Sequence, residues 1–478
     1  NGMTSSIQAL RTQADQGIAT DVQQANQAMQ QIAQANQQIS LDPNNDATAA
    51  TLEDQRDQAI TQLSQLMDIR VTSGANNQVT VFSGSGYQLV GTHASQLTFS
   101  ASGSITAGQQ WSTNPAQSSL GTITLVDPSG ATTDLLANRA IRSGQLAAYV
   151  QMRDQTLVQA QTQVDQFAAQ MSSALSNQTT SGTAVSGGGQ AGFTVGVGSV
   201  LPGNTINLSY TSTATNTQQQ ITIVRVDDPA ALPLSPALAA NYPGQAIGVN
   251  FSAGIGSVVA QLNAALGSKG LQFSNPSGST LQVVNTNISS AVNSLSTTTT
   301  ATTLTGGSAA LPLFTDGGTP FTGTITASGS QSTGFAGRIA VNGALIANPG
   351  NVQIYQTSPP TQSGDATRPN FILNQLTNAQ LSYSPSAGVG GSAAPFQGTL
   401  STYLGQVISQ QSQAASNATS LQQGQDQVVS ALQQRFNGTS AVNIDTEMAR
   451  LLTLQSAYSA NARVLSTVQQ MFTTLLQS

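Results

Sequence analysis

The C-terminal stretch from Val442 to Ser478 constrains the fold more than any other part of the sequence, because apolar residues recur there in alternating steps of three and four. This spacing places the side chains along one seam of a helix. No proline or glycine interrupts the stretch. The seam consists of Leu451, Leu454, Tyr458, Asn461, Leu465, Val468, Phe472 and Leu475.

One polar residue, Asn461, interrupts this seam. A lone polar residue at a seam position fixes the register or the number of partner helices, at some cost in stability. A helix with such a stripe leaves apolar surface in water unless another helix covers it. We therefore predict that these eight residues form an assembly seam, and the function of the chain depends on what that seam pairs with.

The composition excludes several classes of function. Only 7% of the 478 residues are charged, against about a quarter in an average protein. The net charge of −6 argues against a nucleic-acid partner, because neutralising phosphates requires a basic face. The absence of cysteine excludes disulfides and thiolate metal sites. No apolar run reaches the roughly 18 residues of a membrane span. We expect an extracellular protein with no membrane insertion and no cofactor.

The N-terminal part contains two more predicted helices. The first has a seam that begins at Ile18, and it ends at Pro43, which disfavours helical geometry at Asp42. The second follows Asp46, a predicted N-cap, and ends near Met67. The two seams are formed by Ile18, Val22, Ala25, Met29, Ile32, Asn36 and Ile39, and by Leu52, Ala59, Leu63 and Leu66.

Two further helical seams lie on either side of the middle of the chain. One occupies residues 144–177, and the other begins at Leu400 and ends where Asn437–Gly438 predicts a C-cap. Their steps of three and four are formed by Leu146, Val150, Arg153, Leu157, Ala160, Val164, Phe167 and Met171, and by Leu400, Leu404, Val407, Gln411, Ala414, Ala418, Leu421, Gln425, Val428 and Leu432.

The middle of the chain predicts antiparallel sheet, because short β-branched segments alternate there with Gly, Asn and Ser. Such segments occupy residues 69–135 and about 193–361. A hairpin is predicted around Asn275–Gly278 from its turn residues, and one helix at Ile255–Leu266. The threonine-rich run Ser296–Thr305 is predicted to be exposed low-complexity chain.

The predicted fold class is α+β, a long antiparallel helical rod formed by the N- and C-terminal parts, with inserted antiparallel β-rich domains. The glycine- and serine-rich stretch Ser181–Gly192 predicts a flexible joint. The predicted regions are residues 1–180, the first part of the rod with a small β subdomain at about 69–135; residues 181–364, the outer β-rich domains; residues 365–436, the returning rod; and residues 437–478, the axial heptad helix.

No motif predicts catalysis. A Ser–His–Asp triad would need His93, the only histidine, which lies in a predicted loop. The run Gly187–Gly192 has phosphate-loop spacing, but it precedes a strand where phosphate binding needs a helix. We therefore predict that the protein is not an enzyme.

One loop has the spacing of a calcium site. Asp42, Asn44, Asp46 and Glu53 stand at ligand positions of an EF-hand-like loop, but Ala47 occupies the position that requires glycine. We interpret the segment as a polar turn between helices.

Two Arg-Asp-Gln tripeptides lie on different predicted helices. Arg56 precedes Asp57, and Arg153 precedes Asp154. Because each carboxylate has an arginine beside it, acid–base chemistry is not indicated. We predict that these residues form polar clamps between neighbouring helices.

These helices carry a family resemblance. The terminal run Val442–Glu447, Leu451–Leu452 and Gln455–Val464 resembles the C-terminal signature of flagellar axial proteins. Leu52–Gln58 is similar to the L-x-D-Q-R-D-Q helix of the hook-associated protein 1 family, and Ser143–Leu146 leading to Arg153–Gln155 is similar to its second R-D-Q helix. Flagellin shares the terminal helix, but the pair of R-D-Q helices favours the junction family.

The resemblance implies a structural adaptor ring between hook and filament, exported through the flagellar apparatus. Its implied partners are other copies of itself, the hook protein, the second hook-associated protein or flagellin, and an export chaperone. That family begins with an N-S-N-N-I-S-N type of signature, which is absent here. We therefore expect the chain to start partway along the rod, so that the seam from Leu451 to Leu475 is frayed or packed on a neighbour.

Two alternatives remain at this point. Flagellin itself would form filaments on its own. A secreted adhesin or glycan-binding protein would use residues 193–361 to bind a saturable ligand, although no aromatic cluster indicates one.

Overall fold

The computed structural model describes residues 1–41, 47–74, 77–213, 215–286, 290–391, 394–440 and 444–477. The chain divides into two units, Asn1–Val407 and Ile408–Ser478. Long helices occupy both terminal parts and antiparallel sheets the middle, so the predicted fold class is confirmed.

The α-helices of the described residues are α1 (Gly2–Leu41), α2 (Ala47–Leu66), α3 (Gln145–Gln151), α4 (Leu157–Ser176), α5 (Pro236–Ala239), α6 (Ile255–Leu266), α7 (Phe335–Arg338), α8 (Gly343–Ala347), α9 (Thr367–Thr377), α10 (Leu400–Ser440) and α11 (Ile444–Gln477). A π-helical turn, Met152–Thr156, joins α3 to α4. Helix α10 runs through the predicted C-cap at Asn437–Gly438 to Ser440.

The strands form small sheets. The first two are β1 (Ile69–Ser73), β2 (Val79–Ser83) and β3 (Gln88–Val90), and β4 (Gln96–Thr98), β5 (Thr124–Val126) and β6 (Thr132–Asp134). A five-stranded sheet has the order β12 (Gln245–Val249), β11 (Thr217–Arg225), β10 (Thr205–Ser212), β15 (Ser290–Thr300) and β7 (Asn177–Ser181). A four-stranded sheet has the order β13 (Leu271–Ser274), β14 (Thr280–Asn285), β9 (Gln190–Gly196) and β8 (Thr183–Gly187).

Three smaller sheets complete the set. They are β17 (Thr319–Pro320), β16 (Phe314–Asp316) and β20 (Ile339–Val341); β18 (Ile325–Thr326) with β19 (Gly329–Ser330); and β21 (Leu381–Ser382) with β22 (Gln397–Gly398). The pairing is antiparallel apart from β11 with β12.

Helix α1 packs its predicted seam into the first core. All seven seam residues from Ile18 to Ile39 are buried. They lie against the buried face of α2, which includes Leu63 and Leu66, and against side chains of the first two sheets. Each fully buried Ile or Leu contributes roughly 1.5–3 kcal/mol, so this core holds α1, α2 and α3 together.

The seam predicted for residues 144–177 changes register at the π turn. Leu146 and Arg153 are buried as predicted, but the later seam residues are only half-buried. Four buried positions after the turn lie one residue later than predicted, at Gln161, Asp165, Ala168 and Ser172. Gln163, Ala169 and the end of α4 from Ala174 to Ser176 are buried as well. A π turn accommodates one extra residue, which rotates the following helix by about 100°. Periodicity alone could not place that insertion.

Two predictions for the middle of the chain are wrong. The expected joint Ser181–Gly192 is mostly strand, since β8 and β9 form a hairpin within it. The run from Ser296 to Thr300 belongs to β15, which lies between β10 and β7 in the five-stranded sheet, and its Thr297 is buried. Threonine is β-branched and fits a central strand, so its abundance marks sheet rather than exposed loop.

Other predictions for the middle are confirmed. Helix α6 has the predicted bounds, and β13 pairs with β14 around the predicted turn. The apolar face of α6 and the two large sheets form a second core. The division into four regions stays a prediction.

Candidate functional site

The assembly seam lies on α11, and its described side chains are exposed. The exposed fractions are 58% for Leu451, 66% for Leu454, 78% for Tyr458 and 42% for Val468. Asn461 is exposed as well. Leu465, Phe472 and Leu475 lie on the same helix, but their side chains fall outside the described residues. Within its own unit, the described part of the seam therefore leaves large apolar side chains in contact with water.

Helix α10 changes environment along its length. Leu400 and Tyr403 are buried in the first unit. From Ile408 onward the described apolar side chains are exposed, with Ile408 at 65% and Leu421 at 69%. Soluble monomers rarely leave so many large apolar side chains in water, and such surfaces mark interaction sites.

The start of α10 is anchored by an aromatic cluster. The rings of Tyr383 and Tyr403 stack at 4.0 Å and nearly parallel. The Tyr403 hydroxyl donates to the carbonyl oxygen of Gln163 on α4 at 3.1 Å. Burial raises the pKa of Tyr383 to about 12, so the Tyr383 hydroxyl stays protonated. The anchor fixes the point at which α10 leaves the first unit.

Arg153 forms a buried ion pair with α1. Its Nη1 lies 2.7 Å from Asp15 Oδ1, and its Nε and Nη2 contact both carboxylate oxygens of Asp154. The other oxygen of Asp15 accepts the backbone N–H of Ser102 at 2.6 Å. Burial alone would lower the pKa of Arg153, but its bonds to Asp154 and Asp15 raise it overall. Of the predicted clamp residues, Arg153 contacts a neighbouring helix, whereas Asp154 contacts Arg153 itself.

Arg56 does not reach another helix. Its Nη1 donates to the carbonyl oxygen of Asn77 at 2.6 Å, in the connection between β1 and β2. Its Nε lies 3.4 Å from Asp57, whose side chain is 64% exposed. The contact therefore joins α2 to the first sheet.

Arg11 and Asp15, which contact Arg153 in the same buried cluster, were not predicted from the sequence. Arg11 is buried and donates to the carbonyl oxygens of Thr106, Gln109 and Arg153. Burial lowers its pKa, partly offset by the charge of Asp154. Arg11 and Asp15 continue the Ile18 seam upstream in steps of four and three, and charged residues at seam positions are the signal that could have revealed them.

Asp165 is a third residue that was not predicted from the sequence. Its carboxylate accepts the backbone N–H groups of Gly334 and Ala336 at 2.7 and 2.9 Å, and the side-chain amide of Gln161 at 2.9 Å. It thereby caps α7 from α4. Burial raises its pKa to about 6, although these hydrogen bonds favour the ionised form.

Arg368 on α9 organises a segment with little regular structure. Its guanidinium is buried and is not ion-paired among the described residues. It donates to the carbonyl oxygens of Leu304, Ser308, Ala309, Asn351 and Ile354. One side chain thus satisfies carbonyls from two distant stretches, and no local sequence pattern indicates this.

The remaining candidate sites do not form a reactive centre. His93 is exposed in the turn after β3. Glu53 lies on α2, and Asp42, Asn44 and Asp46 of the calcium-like loop lie outside the described residues. Among the residues with described structure, no group of His, Asp or Glu could hold a metal ion. No described helix is both long and apolar enough to cross a membrane.

A polar cavity of about 1130 Å³ lies between α1, α4 and the segments around Asn241 and Thr322. Its lining is mostly hydroxyl and amide side chains. Its carboxylate, Asp165, is engaged by α7 amides. Of its two arginines, Arg11 donates to backbone carbonyl oxygens and Arg338 pairs with Asp316. The cavity therefore does not present a free acid–base pair for catalysis.

Comparisons with known proteins match both ends of the chain to flagellar protein families. The model of the FlgK helical domain, from flagellar hook-associated proteins, matches residues 1–193. The model of the C-terminal domain of the flagellar basal body rod proteins FlgEFG matches residues 433–478. Together the two matches span half of the chain.

One solved structure in the comparison is the flagellar hook junction protein FlgK from Burkholderia pseudomallei. It is 20% identical, covers 63% of this chain and has a TM-score of 0.30. The alignment spans half the length of that protein. No curated protein sequence matches the chain.

The terminal helices and the two family matches define a structural component of the bacterial flagellum. The exposed seam lies within the second matched region, and the buried Arg153 pair within the first. Residues 1–193 belong to the family of the FlgK helical domain of flagellar hook-associated proteins, and residues 433–478 to the FlgEFG C-terminal family.

Proposed function

We propose that the chain is a non-enzymatic adaptor at the junction of the flagellar hook and filament. It self-associates into a ring, contacts the hook protein on one side, and contacts the second hook-associated protein or flagellin on the other. An export chaperone accompanies it, and it acts outside the cell after passing through the flagellar export apparatus. The observation that carries the proposal is the exposed seam of α11 in a chain of this family.

The mechanism is burial of the assembly seam between subunits. Each Leu that moves from water into a packed helix interface contributes roughly 1.5–3 kcal/mol. The eight predicted seam positions can therefore supply most of the association free energy. Asn461 sets the register, because an apolar neighbour opposite it would leave its amide without a hydrogen bond.

Substitutions on and off the seam test the proposal. Leu451→Asp together with Leu454→Asp places two charges on the seam, and we expect self-association to weaken by about a hundredfold or more. Ser456→Asp places a charge on the opposite face of α11 and should leave association unchanged. Sedimentation velocity measures both, and electron microscopy of assemblies with purified hook protein measures junction formation.

Several outcomes would contradict the proposal. Equal association by the seam and control variants would show that the seam does not drive self-association. Filaments formed by the chain alone would favour flagellin, and a saturable glycan ligand would favour the adhesin. Turnover of a substrate would exclude a purely structural role.

A further inference from the structure

Three arginines at one end of the first core form a basic patch: Arg70, Arg139 and Arg142. All three side chains are exposed. None of them is ion-paired among the described residues. Since the whole chain has only 13 basic residues, three unpaired cations in one place are a marked concentration of charge.

Backbone contacts hold the basic patch together around Asp68. The backbone N–H of Arg142 donates to Asp68 Oδ1 at 3.0 Å, and Arg70 lies two residues beyond Asp68. The Arg142 Nε donates to the carbonyl oxygen of Arg139 at 3.3 Å. Asp134 is a second carboxylate nearby, since it accepts the backbone N–H of Ala137 at 2.8 Å. With two carboxylates against three guanidinium groups, the patch keeps a net positive charge.

Arg139 has an unusual backbone. Its φ is +50°, in the left-handed region that residues with a side chain rarely adopt. Strained backbone of this kind concentrates at functional positions. Its amide donates to Leu136 and its carbonyl accepts from Arg142, so the conformation is held from both sides.

A surface of opposite charge lies on α2, which we call the acidic face: Glu53, Asp54 and Asp57. Asp57 lies three residues after Asp54 and four after Glu53, and these spacings place it beside both on the helix surface. Asp54 and Asp57 are exposed, and Glu53 is half-buried. Arg56 balances part of this charge through its contact with Asp57, and a net negative charge remains.

Within one molecule, no ion pair joins the two surfaces among the described residues. Asp57 lies nine residues before Leu66, the last residue of α2, which is about 14 Å along the helix axis. Arg70 follows four residues after Leu66, on β1. An ion pair needs its nitrogen and oxygen atoms within about 4 Å.

We propose that the basic patch docks onto the acidic face of α2 in a second copy of this chain, head to tail. This inference rests on the proposed self-association. A contact between two different surfaces of identical subunits generates a ring when the rotation closes. Exposed charge pairs add little affinity but determine orientation and register. The seam of α11 then supplies the association free energy, while these charges set the stagger between neighbours.

Charge reversal tests the docking. The basic variant carries Arg70→Glu and Arg142→Glu, and the acidic variant carries Asp54→Lys and Asp57→Lys. The four side chains are exposed, so circular dichroism should match the wild type. Two single variants are compared as well. Arg142→Glu reverses one charge of the basic patch, and Lys269→Glu, which reverses a cation outside the patch, is its control. Analytical ultracentrifugation measures self-association at low salt and at about 0.5 M salt.

We expect each double variant to associate about tenfold or more weakly than the wild type at low salt. Lys269→Glu should associate like the wild type, and Arg142→Glu should associate more weakly than the wild type. An equimolar mixture of the two double variants should recover association, because each wild-type surface then meets its complement. Salt should weaken the wild type more than either variant.

Two results would overturn the docking alone: wild-type association by both double variants, or a mixture no tighter than its components. A wild-type chain that remains monomeric at every concentration would instead overturn the proposed self-association, and the docking with it.

Discussion

Arg153 and Asp15 form an ion pair of 2.7 Å in which neither side chain has any exposed surface. The pair joins the π turn between α3 and α4 to the middle of α1. Charges buried in this way are costly to separate, because loss of Asp15 would leave Arg153 with Asp154 as its remaining carboxylate in a low-dielectric site. The pair therefore makes the junction between these helices sensitive to a single substitution.

We predict that Asp15→Asn lowers the free energy of unfolding of the first core by about 3 kcal/mol, the lower end for a broken buried ion pair, because Asp154 still pairs with Arg153. The matched control is Asp57→Asn, since Asp57 is 64% exposed beside Arg56 and should cost less than about 1 kcal/mol. The only tryptophan, Trp111, packs against this core, so its fluorescence in a urea titration reports the transition. Equal midpoints for the two variants would contradict the prediction.

Asp165 should make stability depend on pH between about 4 and 6. Burial raises its pKa in the folded protein from 3.8 to about 6. The fold therefore favours the protonated form, and the stability that this contributes, about 3 kcal/mol, is present below pH 4 and lost as pH rises through 6. Urea titrations across this range measure it.

Asp165→Asn removes the titrating group and should remove this component of the pH profile. The comparison separates Asp165 from carboxylates whose pKa is shifted in the opposite direction. Asp365 is one of these, because its hydrogen bonds to Thr367 lower its pKa. If wild type and variant have parallel profiles from pH 4 to 7, the assignment to Asp165 fails.

Arg368→Met should unfold the segment between β15 and α9 locally. The substitution keeps much of the side-chain volume but removes every donor to the five surrounding carbonyl oxygens, and hydrogen bonds to a charged group contribute about 1.5–3 kcal/mol each. Hydrogen exchange should accelerate in residues 301–366 and not in α1. Lys269→Met is the control for loss of a cation, and similar exchange in both variants would refute the structural role of Arg368.

Backbone amides from Leu451 to Leu475 should exchange rapidly in a dilute monomer and slowly after assembly. The described seam side chains on α11 are exposed, so little tertiary packing protects the helix in the free chain. Hydrogen exchange by mass spectrometry at low and high protein concentration tests this. Strong protection at the lowest concentration would show that the seam is already covered.

The sequence predicted those parts of the fold in which one periodicity persists. The seam of α1, the bounds of α6 and the hairpin of β13 with β14 follow from local patterns, and they are as predicted. The seam of α11 is predicted from the same kind of spacing, and its role in assembly stays a prediction. Apolar spacing carries this information because burial of one helix face requires it.

The polar contacts could not be predicted, because each depends on residues far apart in the chain. Asp15 meets Arg153, Asp165 meets Gly334, and Arg368 meets Leu304. No local pattern encodes these separations. The strand from Ser290 to Thr300 was missed for a related reason, since its neighbours β10 and β7 determine that it is central.

The extra residue in the turn Met152–Thr156 lets one continuous helical segment serve two environments. Before it, Leu146 packs into an apolar core; after it, amides and a carboxylate on α4 meet the β-rich part of the unit. Deleting a single residue there would restore a regular helix and leave Asp165 and Ala168 in place, because the turn already absorbs one extra residue. Inserting one more residue would turn α4 by about 100°, and would bring Val164 and Phe167 to where Asp165 and Ala168 now lie. In this segment, gain of one codon can therefore re-orient an outer domain without altering any of its own residues.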